Sequence, residues 1–167
     1  MFIYISGGTR SGKSRFAQEM ALGLSKTPVY IATAKIWDDD FAERVARHKQ
    51  DRGPEWTTFE VYQDLYTLPV REQVVVIDCI TLWLTNFFMD TGSHIEDTLT
   101  LFKREILQLK KLPGTFIFIS NELGMGLHAD TELGRKFTDL QGWANQYLAA
   151  VSDEAYFMVS GISVRVK

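Results

Sequence analysis

Cysteine is almost absent from this chain. Cys79 stands alone in 167 residues, so no internal disulfide can form and a reducing compartment is expected. Long apolar runs are missing too, and nothing approaches the ~20 residues that a membrane span needs. Basic charge is not in excess: 18 Lys and Arg against 21 Asp and Glu leave a net charge of −3. That balance gives no general attraction to nucleic acid or to an anionic membrane. There is no low-complexity segment and no internal repeat. Met1 leads straight into a strand-like run, so no signal peptide is expected and the protein is read as cytoplasmic. A length of 167 residues with 46% hydrophobic content suits one domain, spanning 1–167, with a real core.

What the chain does contain begins at residue 7. Gly7-Gly8-Thr9-Arg10-Ser11-Gly12-Lys13-Ser14 satisfies G-x-x-x-x-G-K-[ST] in full. The β-branched and aromatic run 2–6 precedes it. From Lys13 to about Ser25, Phe16, Met20 and Leu24 recur at helical spacing. Strand, glycine turn and helix together wrap backbone N–H groups around a phosphate chain, with the helix dipole adding its positive end. Lys13, expected to face solvent, would reach the β- and γ-phosphates, and the Ser14 hydroxyl would hold Mg²⁺. The sequence therefore predicts a nucleoside triphosphate site.

Further strand-like runs lie at 28–33, 74–78, 115–120 and 155–160, several of them apolar throughout. Such runs fit a parallel sheet covered on both faces. Gly161 separates 156–160 from 162–166 so closely that the two must form a hairpin, because a parallel crossover needs a dozen residues or so. Amphipathic helices are predicted around 95–109 and 131–152. The fold class is α/β, mostly parallel, with helices on both faces and one antiparallel C-terminal strand. Functional groups should collect at the carboxyl edge of the strands: Ser6-Gly7, Thr33, Asp78 and Ser120-Asn121-Glu122. Asp78 closes an apolar strand, as the acidic metal residue of phosphate-loop enzymes does, or else caps the next helix. Cys79 beside it reads as a small buried residue.

The segment Asp38 to Arg52 opens acidic and ends basic, as a helix dipole prefers. Arg44, His48 and Arg52 then fall on one ridge. Two guanidinium groups beside an imidazole suit phosphate binding and keep His48 neutral, hence nucleophilic. His48 also follows Phe41 and Val45 at helical spacing, so a packing role stays open.

At this point the chain resembles a known family. The phosphate loop is followed in order by Ile31-Ala32-Thr33-Ala34, His48-Lys49 with Arg52, Trp56-Thr57-Thr58, Asp78-Cys79-Ile80-Thr81-Leu82-Trp83-Leu84-Thr85-Asn86 and Asn121-Glu122-Leu123-Gly124-Met125-Gly126. Arg135, Phe137, Asp139, Gly142, Asn145, Gln146 and Ser160-Gly161 come after. This set is similar to the bifunctional adenosylcobinamide kinase/adenosylcobinamide-phosphate guanylyltransferases of cobalamin biosynthesis, over essentially the whole chain. The resemblance implies a RecA-like fold and a homotrimer with sites between subunits. It implies phosphorylation of adenosylcobinamide by GTP or ATP, then transfer of GMP from GTP to the phosphate, with pyrophosphate released. The guanylyl carrier matches His48. Nucleotide contacts map onto Gly7, Gly8, Thr9, Arg10, Ser11, Gly12, Lys13, Ser14, Ala32, Thr33, Ala34, Lys49, Gln50, Asp51, Arg52, Glu60 and Asp78. Leu127-His128-Ala129 departs from the family's usual Val/Ile-Pro, and His94 reads as an exposed residue at a helix start. Gly142, inside a helix beside Arg135, Asp139 and Gln146, suggests close approach by a subunit or the corrinoid; an Arg135–Asp139 pair on a solvated face is the plainer reading. Trp37, Trp56, Phe87 and Phe88 are expected in loop or edge positions, exposed enough to suggest assembly.

Two other readings compete. One is a plain small-molecule kinase in which His48 is structural. The other is a RecA-like nucleic-acid binder, which the acidic charge and the lack of a basic stripe disfavour.

Overall fold

The computed structural model describes residues 1–35 and 52–167. Seven strands form one sheet: β1 (Phe2–Gly7), β2 (Val29–Ala32), β3 (Thr57–Glu60), β4 (Gln73–Asp78), β5 (Gly114–Asn121), β6 (Glu154–Val159) and β7 (Ile162–Arg165). Their order is β3-β2-β4-β5-β1-β6-β7, parallel throughout except for the β6–β7 hairpin. The four described α-helices are α1 (Lys13–Leu24), α2 (Ile80–Asp90), α3 (Ile95–Lys110) and α4 (Glu132–Val151).

Strand alternation explains the layering. Phe2 and Tyr4 of β1, Val75 and Ile77 of β4, and Phe116 and Phe118 of β5 point to one face. There they pack with Trp83 and Phe87 of α2, Phe102 and Ile106 of α3, and Leu140 and Leu148 of α4. Ile3, Ile5, Val76, Ile117 and Ile119 point the other way, onto Ala17 and Ala21 of α1. Both faces are dry, so the strands read as continuous apolar runs.

Two elements lie outside the sequence expectations. Helix α2 buries Ile80, Trp83, Leu84, Phe87 and Phe88, and its apolar residues run nearly all round it, leaving no amphipathic stripe to detect. Phe87 and Phe88 are therefore core residues, which corrects the expectation that they are exposed. Strand β3 is mostly exposed and is held by parallel pairing with β2 rather than by an apolar pattern. Glu105 of α3 is wholly buried, and its two oxygens accept the N–H groups of Asp64 and Leu65 at 3.0 and 3.1 Å. It thereby anchors the short 3-10 turn Leu65–Thr67. Burial raises its pKa above the ordinary glutamate value.

Candidate active site

The loop between β1 and α1 is shaped by backbone that other residues resist. Gly7 has φ +152°, and a Cβ there would meet the Met158 carbonyl oxygen at 2.6 Å; Gly12 has φ +95° and opens α1. Arg10 also takes a positive φ of 61°. No side chain caps the N-terminus of α1, so its first-turn N–H groups remain free for an anion. The Ser11 hydroxyl is buried without a partner, a donor the chain itself leaves unsatisfied.

Lys13 is only 8% exposed, which corrects the solvent-facing expectation. Its ammonium donates to the Gly8 carbonyl at 2.6 Å, folded back along the loop. Burial lowers its pKa, opposed by the nearby Cys79 and Asp78. Ser14 donates to Asp78 Oδ2 at 3.1 Å, although 64 residues separate them. The Tyr30 hydroxyl donates to the same oxygen at 2.6 Å, and burial followed by the Asp78 charge holds its pKa well up. Two hard oxygen donors meeting at the loop suit a Mg²⁺ that draws its other ligands from phosphates and water. Among the described residues no group of three or more His, Cys, Asp or Glu could hold a metal.

Pairing in register places Ala32 between Asp78 on β4 and Glu60 on β3, so these three share the carboxyl edge. Thr33 is buried there. Its N–H donates to the Asp78 carbonyl, its hydroxyl to the Cys79 carbonyl, and its own carbonyl accepts from Asn86. Thr33 thus braces the end of β4. Burial pushes the Cys79 thiol up to about 12, so it is no nucleophile. Arg52 lies over the Tyr30 ring, 3.8 Å from its centroid, with Trp56 against the ring's edge. Its Nε and Nη1 are buried without partners. With Gly53, Trp56, Thr58 and Glu60 it lines a cavity of about 480 Å³. Arg52, Tyr30, Asp78 and Ser14 therefore form a continuous chain from this cavity to the phosphate loop. His48, Lys49, Gln50, Asp51, Arg44 and Trp37 lie outside the described residues.

Sequence reasoning missed Tyr30, hidden inside an apolar strand, and the network behind Glu122. His94 is exposed, as expected, and so is His128. Arg135 makes no pair with Asp139; it donates to the carbonyls of Ala129 and Asp130, while Lys136 pairs with Glu132. Nothing within the described chain lies close to a Cβ built on Gly142.

The chain resembles, over 98% of its length and 56% of the other's, a type III secretion system ATPase of pathogenic bacteria, with a TM-score of 0.54 and 12% identity, which speaks for the RecA-like fold. Two proteins named bifunctional adenosylcobalamin biosynthesis protein CobU match over the full length of both chains: 35% identical from Escherichia coli (strain K12), 34% from Salmonella typhimurium. A protein named CobP from Pseudomonas aeruginosa is 35% identical, covering 98% of this chain and 95% of its own. Residues 3–166 match the family described as cobinamide kinase / cobinamide phosphate guanyltransferase. The chain belongs to that family and is an enzyme of adenosylcobalamin biosynthesis.

Proposed function

We propose that this enzyme phosphorylates the aminopropanol hydroxyl of adenosylcobinamide with GTP or ATP, and then transfers GMP from GTP to the new phosphate through a guanylyl-His48 intermediate. The products of the second step are adenosylcobinamide-GDP and pyrophosphate. The observation that carries the reading is the meeting of Lys13, Ser14 and Asp78 on one phosphate loop, in a chain matched to the family from end to end.

In this reading residues Gly7 to Ser14 wrap the phosphates with backbone N–H groups, and Lys13 exchanges its bond to Gly8 for a phosphate oxygen. Ser14 and Asp78 hold Mg²⁺, which supplies charge neutralisation along the triphosphate. Tyr30 keeps the Asp78 carboxylate turned towards Ser14. Arg52, whose buried N–H groups lack acceptors, binds a phosphate in the cavity it shares with Glu60. Ala32, Thr33 and Ala34 with Lys49, Gln50 and Asp51 complete the nucleotide's surroundings. A histidine carrier splits the guanylyl transfer into two displacements, and the neighbouring cations offset charge on the α-phosphoryl oxygens. The whole chain acts as one nucleotide-binding domain, works in the cytoplasm and assembles as a homotrimer. Its single buried cysteine supports the reducing compartment. No described helix is long and apolar enough to cross a membrane.

Intact mass after incubation with GTP and Mg²⁺ tests the reading. Wild type should gain one GMP per chain, through an acid-labile and base-stable bond, and His48→Asn should gain none while still phosphorylating adenosylcobinamide. A wild type that phosphorylates but never gains GMP would establish the plain kinase instead.

A further inference from the structure

The sheet edge carries a carboxylate that the preceding roles leave unused. Glu122 follows β5, the strand lying between Asp78 on β4 and the phosphate loop on β1. Its N–H donates to the Gly7 carbonyl at 3.1 Å, which ties its backbone to the first residue of the loop. Its side chain is held from behind. Asn145 of α4 donates from Nδ2 to Glu122 Oε1 at 2.8 Å and to the Asn121 carbonyl at 3.1 Å. The Asn145 Oδ1 accepts from the Ser120 hydroxyl at 2.6 Å and from Gln141 Nε2 at 2.9 Å, and Gln141 also donates to Ser120 at 3.0 Å. These donors fix which way the Asn145 amide faces. Ser120, Gln141 and Asn145 are all buried, and Gln141 Oε1 is the one side-chain polar atom of the three left without a partner. The network's outward end is one neutral N–H aimed at one carboxylate oxygen.

No cation among the described residues pairs with Glu122. A carboxylate beside a polyphosphate site weakens nucleotide binding by repulsion, and an apolar residue at this position would avoid that cost. The interior thus orients this carboxylate at the carboxyl edge of the sheet, between Asp78 and the phosphate loop. Asp78 is ill placed to accept a proton, because the function proposed above gives its carboxylate, beside Ser14, to Mg²⁺.

We propose that Glu122 is the catalytic base of the phosphoryl-transfer half-reaction, and that Asn145 is its positioning residue; the assignment rests on the kinase reading above. The acceptor hydroxyl oxygen bonds to the γ-phosphorus. The bond from that phosphorus to the β–γ bridging oxygen breaks, and its electron pair leaves with the nucleoside diphosphate. The hydroxyl proton passes to the Glu122 oxygen not held by Asn145, and from there to water. Guanylyl transfer to histidine has no acceptor hydroxyl, so it does not need this base.

The test assays the two half-reactions separately on the full-length protein. Glu122→Gln retains an oxygen for Asn145, and its kcat for phosphorylating adenosylcobinamide with ATP should fall 100-fold or more, in the range typical of a lost base. The nucleotide KM should stay within about threefold, and GTP should still load GMP onto the protein to the wild-type extent. Asn145→Leu should lower the same kcat by about tenfold with GMP loading intact. Phosphorylation by Glu122→Gln within about threefold of wild type overturns the assignment. Equal loss of both half-reactions overturns it too, since that marks a structural or nucleotide-binding role. A wild type that loads GMP but phosphorylates no cobinamide brings down the kinase reading itself, and this assignment with it.

Discussion

Lys13 shows how one residue can be prepared for a ligand before the ligand arrives. Burial depresses its pKa in the free protein, and the acceptor it holds is a neutral carbonyl. Triphosphate oxygens favour the charged form and push the pKa back up. Below the depressed value the ammonium is already charged and affinity is complete. As pH rises through that value, binding must take up a proton, and affinity falls. Calorimetric titration with a nonhydrolysable GTP analogue at alkaline pH, in buffers of different ionisation enthalpy, should therefore show proton uptake. Lys13→Ala should abolish both the uptake and most of the affinity.

At the scale of elements, the phosphate loop depends on its neighbours. Gly7 pairs in register with Met158, and their backbones approach too closely for any side chain at Gly7. Gly7→Ala must either push β6 away or leave the loop's geometry, and should cost about 1–3 kcal/mol, as forced backbone does. A lower urea midpoint together with weaker nucleotide binding would show it. The glycines, the lysine and the apolar strands were legible in the sequence because spacing along the chain determines them. The 131–152 helix was legible too, from its apolar stripe, and the structure adds a Thr131 cap that accepts from Gly134. The bonds from Tyr30 to Asp78 and from Asn145 to Glu122 were not, because each joins residues far apart in sequence and nothing local marks it. Strand β3 escaped because its stability comes from backbone pairing to β2, which side-chain pattern does not encode.

At the scale of the whole molecule, the exposed apolar groups differ from those first expected. Phe87 and Phe88 are buried and Trp56 leans on Tyr30. Leu127 is 99% exposed instead, with Met125 beside it, and Ile162 and Val166 stand out along the edge strand at 68% and 64%. A bare apolar edge strand invites pairing or cover. Light scattering at micromolar concentration should give the mass of three chains. A charge placed at Ile162 (Ile162→Lys) tests whether that edge takes part, by lowering the mass if it does.

The hairpin turn adds a consequence of another kind. Gly161 donates its N–H to the Ser11 carbonyl at 2.9 Å, and the Cα of Gly161 lies 3.2 Å from where a Cβ on Gly12 would stand. The nucleotide loop is thus braced by a turn that lies about 150 residues further along the chain. β1 itself lies between β5 and β6, both from the second half of the chain. During synthesis the ribosome releases the loop early, but its walls arrive only after residue 161 has left the exit tunnel. A nascent chain therefore exposes its phosphate loop well before the segments that brace it, and should not grip a nucleotide until they have emerged.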